Sequence, residues 1–153
     1  MKKINQKIVS NKFKWVPMNE RHDNLGLPLP PRKPETQKPL LWIAIEPQDG
    51  LIEDVYLVNE TGETLEAINA STVGFESLDD DYYGISGLDI EYKNIANNDA
   101  VKIEEYHQIS DSDSVLIISI KVKLKGKLIK LKTSSTSRTS GASGFKEEVL
   151  LWG

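Results

Sequence analysis

The sequence predicts an all-β protein: an antiparallel β-sandwich, immunoglobulin-like in the broad sense, of about seven to eight strands with an extended N-terminal arm. Three observations predict it. From Leu40 onward the dominant hydrophobic period is two. The apolar segments are short and recur at intervals of about ten residues with turn residues between them. No segment after Leu40 carries an apolar helical stripe over three turns. A small β-barrel is the alternative closure of the same strands.

The elements follow in order. "LLWIAIE" (40–46) is an apolar run of strand length that ends at the turn "PQDG". "EDVYLVN" (53–59) leads through "ETGE" into "TLEAINASTV" (64–73). An acidic loop around Asp79, Asp80 and Asp81 precedes "GLDIEY", which places Leu88, Ile90 and Tyr92 on one face and Asp89 and Glu91 on the other. "NIANNDA" reads as a turn and "AVKIEEYH" (100–107) as the next strand. "SVLIISIKVKLK" (114–125) is the strongest signal, with Leu116, Ile118, Ile120, Val122 and Leu124 on one face and Ser119, Lys121, Lys123 and Lys125 on the other. Gly126 marks a turn or bulge before "LIKLK" (128–132). "TSSTSRTSGASG" (133–144) reads as a mobile loop, and "FKEEVLLW" (145–152) as a returning strand with a short helix as competitor.

Residues 1–38 form a basic, proline-containing arm, and 39–153 the sandwich domain. Within "KIVSNKFKWVP" one strand is expected, Phe13 and Trp15 turning inward between lysines, with a short helix over residues 2–9 as the alternative. "LGLPLPPRKPETQKP" (25–39) holds five of the seven prolines and suits an extended connector, with Trp15, Leu25 and Leu27 as anchors. Pro28-Leu29-Pro30-Pro31-Arg32-Lys33 also fits a polyproline ligand with a terminal cation, a short pattern that arises often by chance.

Charge is segregated. Residues 1–38 carry nine Lys/Arg against three Asp/Glu, residues 39–113 two against eighteen, and residues 114–153 eight against two. Mutual neutralisation within the protein is the simplest consequence. The absence of cysteine excludes disulfides, zinc thiolates and thiol nucleophiles. "INQKIVSNKFKW" breaks any apolar run after Met1-Lys2-Lys3, and no apolar stretch approaches the ~20 residues of a membrane span, so a soluble, cytoplasmic protein without membrane contact is expected. The sequons at Asn59 and Asn69 are read as chance matches.

Chemistry-bearing motifs are sparse. Asp79, Asp80 and Asp81, and separately His107, Asp111 and Asp113, lack the alternating ligand pattern of a calcium loop, so neither metal nor cofactor is expected. The chain has no P-loop, no G-x-G-x-x-G and no G-x-S-x-G, and its two histidines are His22 and His107; catalysis is disfavoured. Lys121, Lys123 and Lys125 form a row at about 6.8 Å spacing that could follow a phosphate backbone, yet no aromatic residue is interleaved for stacking. A solvated face, with those lysines paired to Asp89, Glu91 or Glu104, is the competing expectation. Tyr82 and Tyr83 face opposite ways in extended chain, so at least one reaches the surface. The expected function is a non-catalytic binding module acting by protein–protein contact. A small acidic inhibitor or immunity-type protein fits the acidic middle segment, and self-association through an edge strand is open. The partner-binding residues expected are Asp79, Asp80, Asp81, Tyr82, Tyr83, Lys121, Lys123 and Lys125. A carbohydrate-handling or hydrolase domain using Asp/Glu is the second reading, and a weak nucleic-acid binder through the lysine row the third.

Overall fold

A computed structural model describes residues 6–15, 38–48, 52–78, 81–107, 114–135, 145 and 147–152, the side chains of 73–78, 81–88 and 114 excepted. The described residues form nine strands: β1 (Ile8–Ser10), β2 (Pro39–Gln48), β3 (Ile52–Asn59), β4 (Leu65–Leu78), β5 (Asp81–Ile95), β6 (Asp99–His107), β7 (Ser114–Leu124), β8 (Lys127–Ser134) and β9 (Glu148–Trp152). They hydrogen-bond into two antiparallel sheets, in the orders β1-β6-β3-β2-β9 and β5-β4-β7-β8. The sheets do not join into a closed barrel, so the protein is a β-sandwich.

Alternation explains the core. Leu41 and Ile43 of β2, Val55 and Leu57 of β3, and Val101 and Ile103 of β6 face inward from the first sheet. Leu65, Ile68 and Ala70 of β4, Ile90 and Tyr92 of β5, and Leu116, Ile118, Ile120 and Val122 of β7 meet them from the second. Each large side chain buried this way contributes about 1.5–3 kcal/mol. The expected faces of β5 and β7 are therefore the real ones, with Asp89 and Glu91 exposed opposite Ile90 and Tyr92.

Three boundaries differ from the sequence reading. β4 and β5 pair beyond the expected stretches, up to Leu78 opposite Asp81, so Asp81 belongs to a strand and not to the acidic loop. Asp79 and Asp80 lie outside the described residues. β8 runs to Ser134, where Ser135 Oγ accepts from the Leu116 N–H at 2.9 Å and Thr133 Oγ1 donates to Glu148 Oε2 at 3.0 Å, into the segment read as a loop; 136–144 lie outside the described residues. At the chain's end the expected returning strand forms, over Glu148–Trp152, and pairs with β2.

Residues 6–15 are part of this architecture. β1 extends the five-stranded sheet beside β6, where a strand and not a helix forms over Ile8–Ser10. The segment beyond it covers the sheet's outer face. Trp42, Ala44, Tyr56, Val58 and Ala100 project there, away from the main core, and are at most 2% exposed because Val9, Phe13, Trp15 and Val149 pack over them. "LLWIAIE" reads as a continuous apolar run because both faces of β2 are buried.

Candidate functional site

The outer face of β7 and β8 gathers Lys121, Lys123, Lys130 and Lys132. β7 and β8 are joined through Lys125 and Gly126, both at positive φ (49° and 76°), the backbone of a tight two-residue hairpin turn. The ladder places Lys121 directly opposite Lys130, Lys123 opposite Leu128 and Ser119 opposite Lys132. The lysines nearest the turn are partnered: Lys123 Nζ lies 3.6 Å from Glu66 and Lys125 Nζ 2.5 Å from Glu63, while Glu66 also accepts from the Gly126 N–H at 2.9 Å. These pairs are exposed, and pairs of that kind contribute at most about 1 kcal/mol. Lys121, Lys130 and Lys132 have no carboxylate within ion-pair distance among the described residues. They rim a shallow depression of about 360 Å³ with Ser119. Leu128, 58% exposed, stands beside them.

The expected pairing of these lysines with Asp89, Glu91 or Glu104 does not form. Asp89 and Glu91 lie on β5, separated from β7 by the whole of β4. Asn69 donates to Asp89 at 3.2 Å, and Lys93 lies 3.8 Å from Glu91. Glu104 belongs to the other sheet and is fully buried. The face is thus divided, with Asp89 and Glu91 along β5 and, away from the turn, Lys121, Lys130 and Lys132 along β7 and β8.

The other expected residues are scattered. Asp81, Tyr82 and Tyr83 sit in β5 opposite Leu78, Ser77 and Glu76, at the far end of that strand from Glu91; their side chains are not described. Asp111, Asp113, His22, Leu25, Leu27 and the proline motif lie outside the described residues. His107 ends β6 with Nε2 3.8 Å from Glu105. No three of His, Asp and Glu gather as a metal site among the described residues.

Two features go beyond the sequence reading, which turns Phe13 and Trp15 inward and takes Trp15 as an anchor without naming what it packs on. The first is an ion cluster within the five-stranded sheet: Lys102, 6% exposed, places Nζ 2.5 Å from Glu105 and 3.3 Å from Asp54. Burial works to lower the Lys102 pKa, but the hydrogen bond to Glu105 and the charge of Asp54 outweigh it and raise the pKa above the usual lysine value. The second is an aromatic array in which all three tryptophans meet. The Trp15 ring lies 5.3 Å from Trp42 and 6.2 Å from Trp152, both edge-on, and Phe13 lies 5.0 Å from Tyr56. Phe13 and Trp15 turn inward as expected, and the continuous apolar run of β2 is the signal that could have named their partner.

Tyr56, Tyr92 and Lys102 together set the alkaline limit of the fold. Burial pushes the Tyr56 hydroxyl to about 12, with the charges of Asp54 and Glu46 adding to it. Burial also raises Tyr92, whose hydroxyl donates to the Lys102 carbonyl at 2.6 Å and accepts from the Lys7 N–H at 3.0 Å. All three groups hold their protons more tightly folded than unfolded. The stability these three groups contribute is therefore level below about pH 10 and falls as pH rises toward 12, by up to about 1.4 kcal/mol per pH unit per group. Denaturant midpoints measured from pH 8 upward check this, and Tyr56→Phe is expected to weaken the alkaline fall.

Compared with protein-family models, curated proteins and solved structures, the chain gives no match.

Proposed function

We propose that this protein is a non-catalytic binding module that engages an acidic protein surface through the outer face of β7 and β8. The observation that supports the reading is the Lys121–Lys130 pair, two ammonium groups directly opposite across a ladder with no carboxylate to separate them. Like charges so placed destabilise a sheet, by about 0.2–1 kcal/mol. Guarding an edge against aggregation accounts for lysines on β8, which is an edge strand. It does not account for Lys121, because β7 is paired on both sides. A partner's carboxylates would relieve the repulsion, and exposed Leu128 supplies an apolar contact among the lysines.

Protein is favoured over nucleic acid because β7 and β8 contain no aromatic residue for base stacking, and because Asp89, Glu91 and Glu66 lie within reach of any long polyanion. Binding is favoured over catalysis because two depressions lined by described residues of β7 and β8 bring in a single carboxylate, that of Glu148. An acidic-inhibitor role is less favoured: Glu46, Asp54, Glu63, Glu66, Glu91 and Glu105 of the acidic segment are already engaged by the chain's own lysines. The reading also takes the fold as immunoglobulin-like. With β2 to β8 as seven successive strands, the first, second and fifth share one sheet and the third, fourth, sixth and seventh the other. The constant-type immunoglobulin pattern differs in the sheet that takes the fourth strand.

The test compares full-length wild type with Lys121→Glu/Lys130→Glu and with Leu128→Asp as baits in a nuclease-treated cytoplasmic lysate. A protein held by wild type is expected to bind each variant at least about tenfold more weakly, a loss of about 1.4 kcal/mol, and to elute as salt rises. Equal capture by all three baits contradicts the reading, and capture abolished by nuclease alone transfers it to nucleic acid.

A further inference from the structure

We propose that the acidic partner binds as an added β-strand: an extended segment, with carboxylates on alternate residues and apolar side chains between them, that hydrogen-bonds to the open edge of β8. The inference rests on the reading of β7 and β8 given above and specifies how they are engaged. Backbone phase decides which groups of β8 face that edge. The two-residue Lys125-Gly126 turn makes Leu124–Lys127 the first bonded pair of the hairpin, so bonded pairs recur at Val122–Ile129, Ile120–Leu131 and Ile118–Thr133. Two residues further on, the Ser135 N–H donates to the Leu116 carbonyl at 2.9 Å, in the same phase. Leu128, Lys130 and Lys132 therefore turn their N–H and C=O groups away from β7. Among the described residues no strand pairs with them. Their side chains are all exposed on the outer face. The residues that offer backbone bonds are thus the ones that offer two cations and an apolar contact.

Of the four edge strands, β8 suits such pairing best. β1 spans three residues, and β9 meets β2 through two register shifts. β5 meets β4 through one shift, and its Glu91 carbonyl already accepts from Gln6 Nε2 at 3.1 Å. β8 runs eight residues along β7 without a shift. On its inner face Ile129 and Leu131 pack against the core yet stay half-buried. An added strand would lay its apolar side chains over these two while its carboxylates meet Lys130 and Lys132, since successive side chains point to opposite faces. That alternation defines the partner's chemistry. Lysine on an edge ordinarily guards against unwanted pairing. Here it also makes pairing selective, because a second β8 is repelled and a carboxylate-bearing strand is not.

The probe is a capped, fluorescent octapeptide of alternating glutamate and valine, titrated with the full-length protein at low salt and followed by anisotropy. Two further peptides carry N-methyl groups, on the glutamates in one and on the valines in the other. Each blocks the donors along one edge of the extended peptide and leaves charge and side chains unchanged. The parent peptide is expected to bind, one methylated peptide to bind at least about tenfold more weakly, and the other to match the parent. Lys121→Glu/Lys130→Glu is expected to weaken the parent by at least about tenfold as well. Both methylated peptides binding like the parent, or both failing, overturns strand addition; if the lysine variant still loses binding, the charge reading survives it. Equal binding of the parent by wild type and the lysine variant contradicts the charge reading itself. No binding of the parent by wild type overturns strand addition, as does slow hydrogen exchange of the Leu128, Lys130 and Lys132 amides in the free protein, which would mean that their N–H groups are already bonded.

Discussion

Asn59→Ala is expected to lower the free energy of unfolding by about 3 kcal/mol, and Asn59→Asp by more. Asn59 ends β3 and is fully buried. Its Nδ2 donates toward the carbonyls of Glu63 at 2.9 Å, Ala96 at 3.0 Å and Ile95 at 3.1 Å. Its Oδ1 accepts from the Thr61 hydroxyl at 2.7 Å and from the Thr61 N–H at 3.1 Å. One side chain thus ties the β3–β4 crossover to the β5–β6 turn, where the Asn98 N–H also donates to the Asn59 carbonyl at 2.7 Å. Both crossovers pass from one sheet to the other, so the residue fastens the two layers at one end. Alanine leaves these groups unpaired away from water, each at a cost of about 1–3 kcal/mol before local relaxation. Aspartate keeps the shape but turns a carboxylate oxygen toward three carbonyls. Urea denaturation of the three proteins measures the series; Asn59→Asp as stable as wild type would remove Asn59 as the fastener. The same geometry makes Asn59 unable to carry a glycan in the folded protein, since its amide is fully used.

Lys102→Met is expected to cost about 3–5 kcal/mol, because it removes the cation and leaves the Asp54 carboxylate, itself 5% exposed, buried without its counter-charge. Lys102 stands opposite Tyr56 in the β3–β6 ladder, next to the bulge between Val55 and Tyr56 that sets Glu105 opposite Asp54. The loss is therefore electrostatic, and it is expected to be largely recovered in Lys102→Met/Asp54→Asn. A coupling of at least about 1.5 kcal/mol in the double-mutant cycle is predicted. Additive losses would mean that Lys102 acts through packing of its aliphatic stem alone.

The core was legible wherever a strand alternates. β7 shows every inward residue and every outward lysine in one line of sequence, and β5 shows Ile90 and Tyr92 against Asp89 and Glu91. "LLWIAIE" announced burial on both faces without saying what covers the second, since the cover, Phe13 and Trp15, arrives from beyond the proline-containing segment. Lys102 gave no local sign of burial, because its bulge-dependent neighbour Glu105 and its cross-strand neighbour Asp54 become neighbours only after pairing. The Asn59 sequon was read as a chance match and given no role, although Asn-x-Thr at a strand end is also the signature of a side-chain turn over two residues, the role it performs. The lysine row was visible, but its opposition to Lys130 depends on the register of the hairpin, which the left-handed Lys125-Gly126 turn sets.

The central claim, that contact is made through the outer face of β7 and β8, is tested most directly by amide hydrogen exchange of the full chain, free and bound to the protein it captures. The account predicts added protection along the edge strand Lys127–Ser134 and at the Lys125-Gly126 turn, with the five-stranded sheet unchanged. Protection confined to β1, β6 and β9, with β8 exchanging as in the free protein, would contradict it.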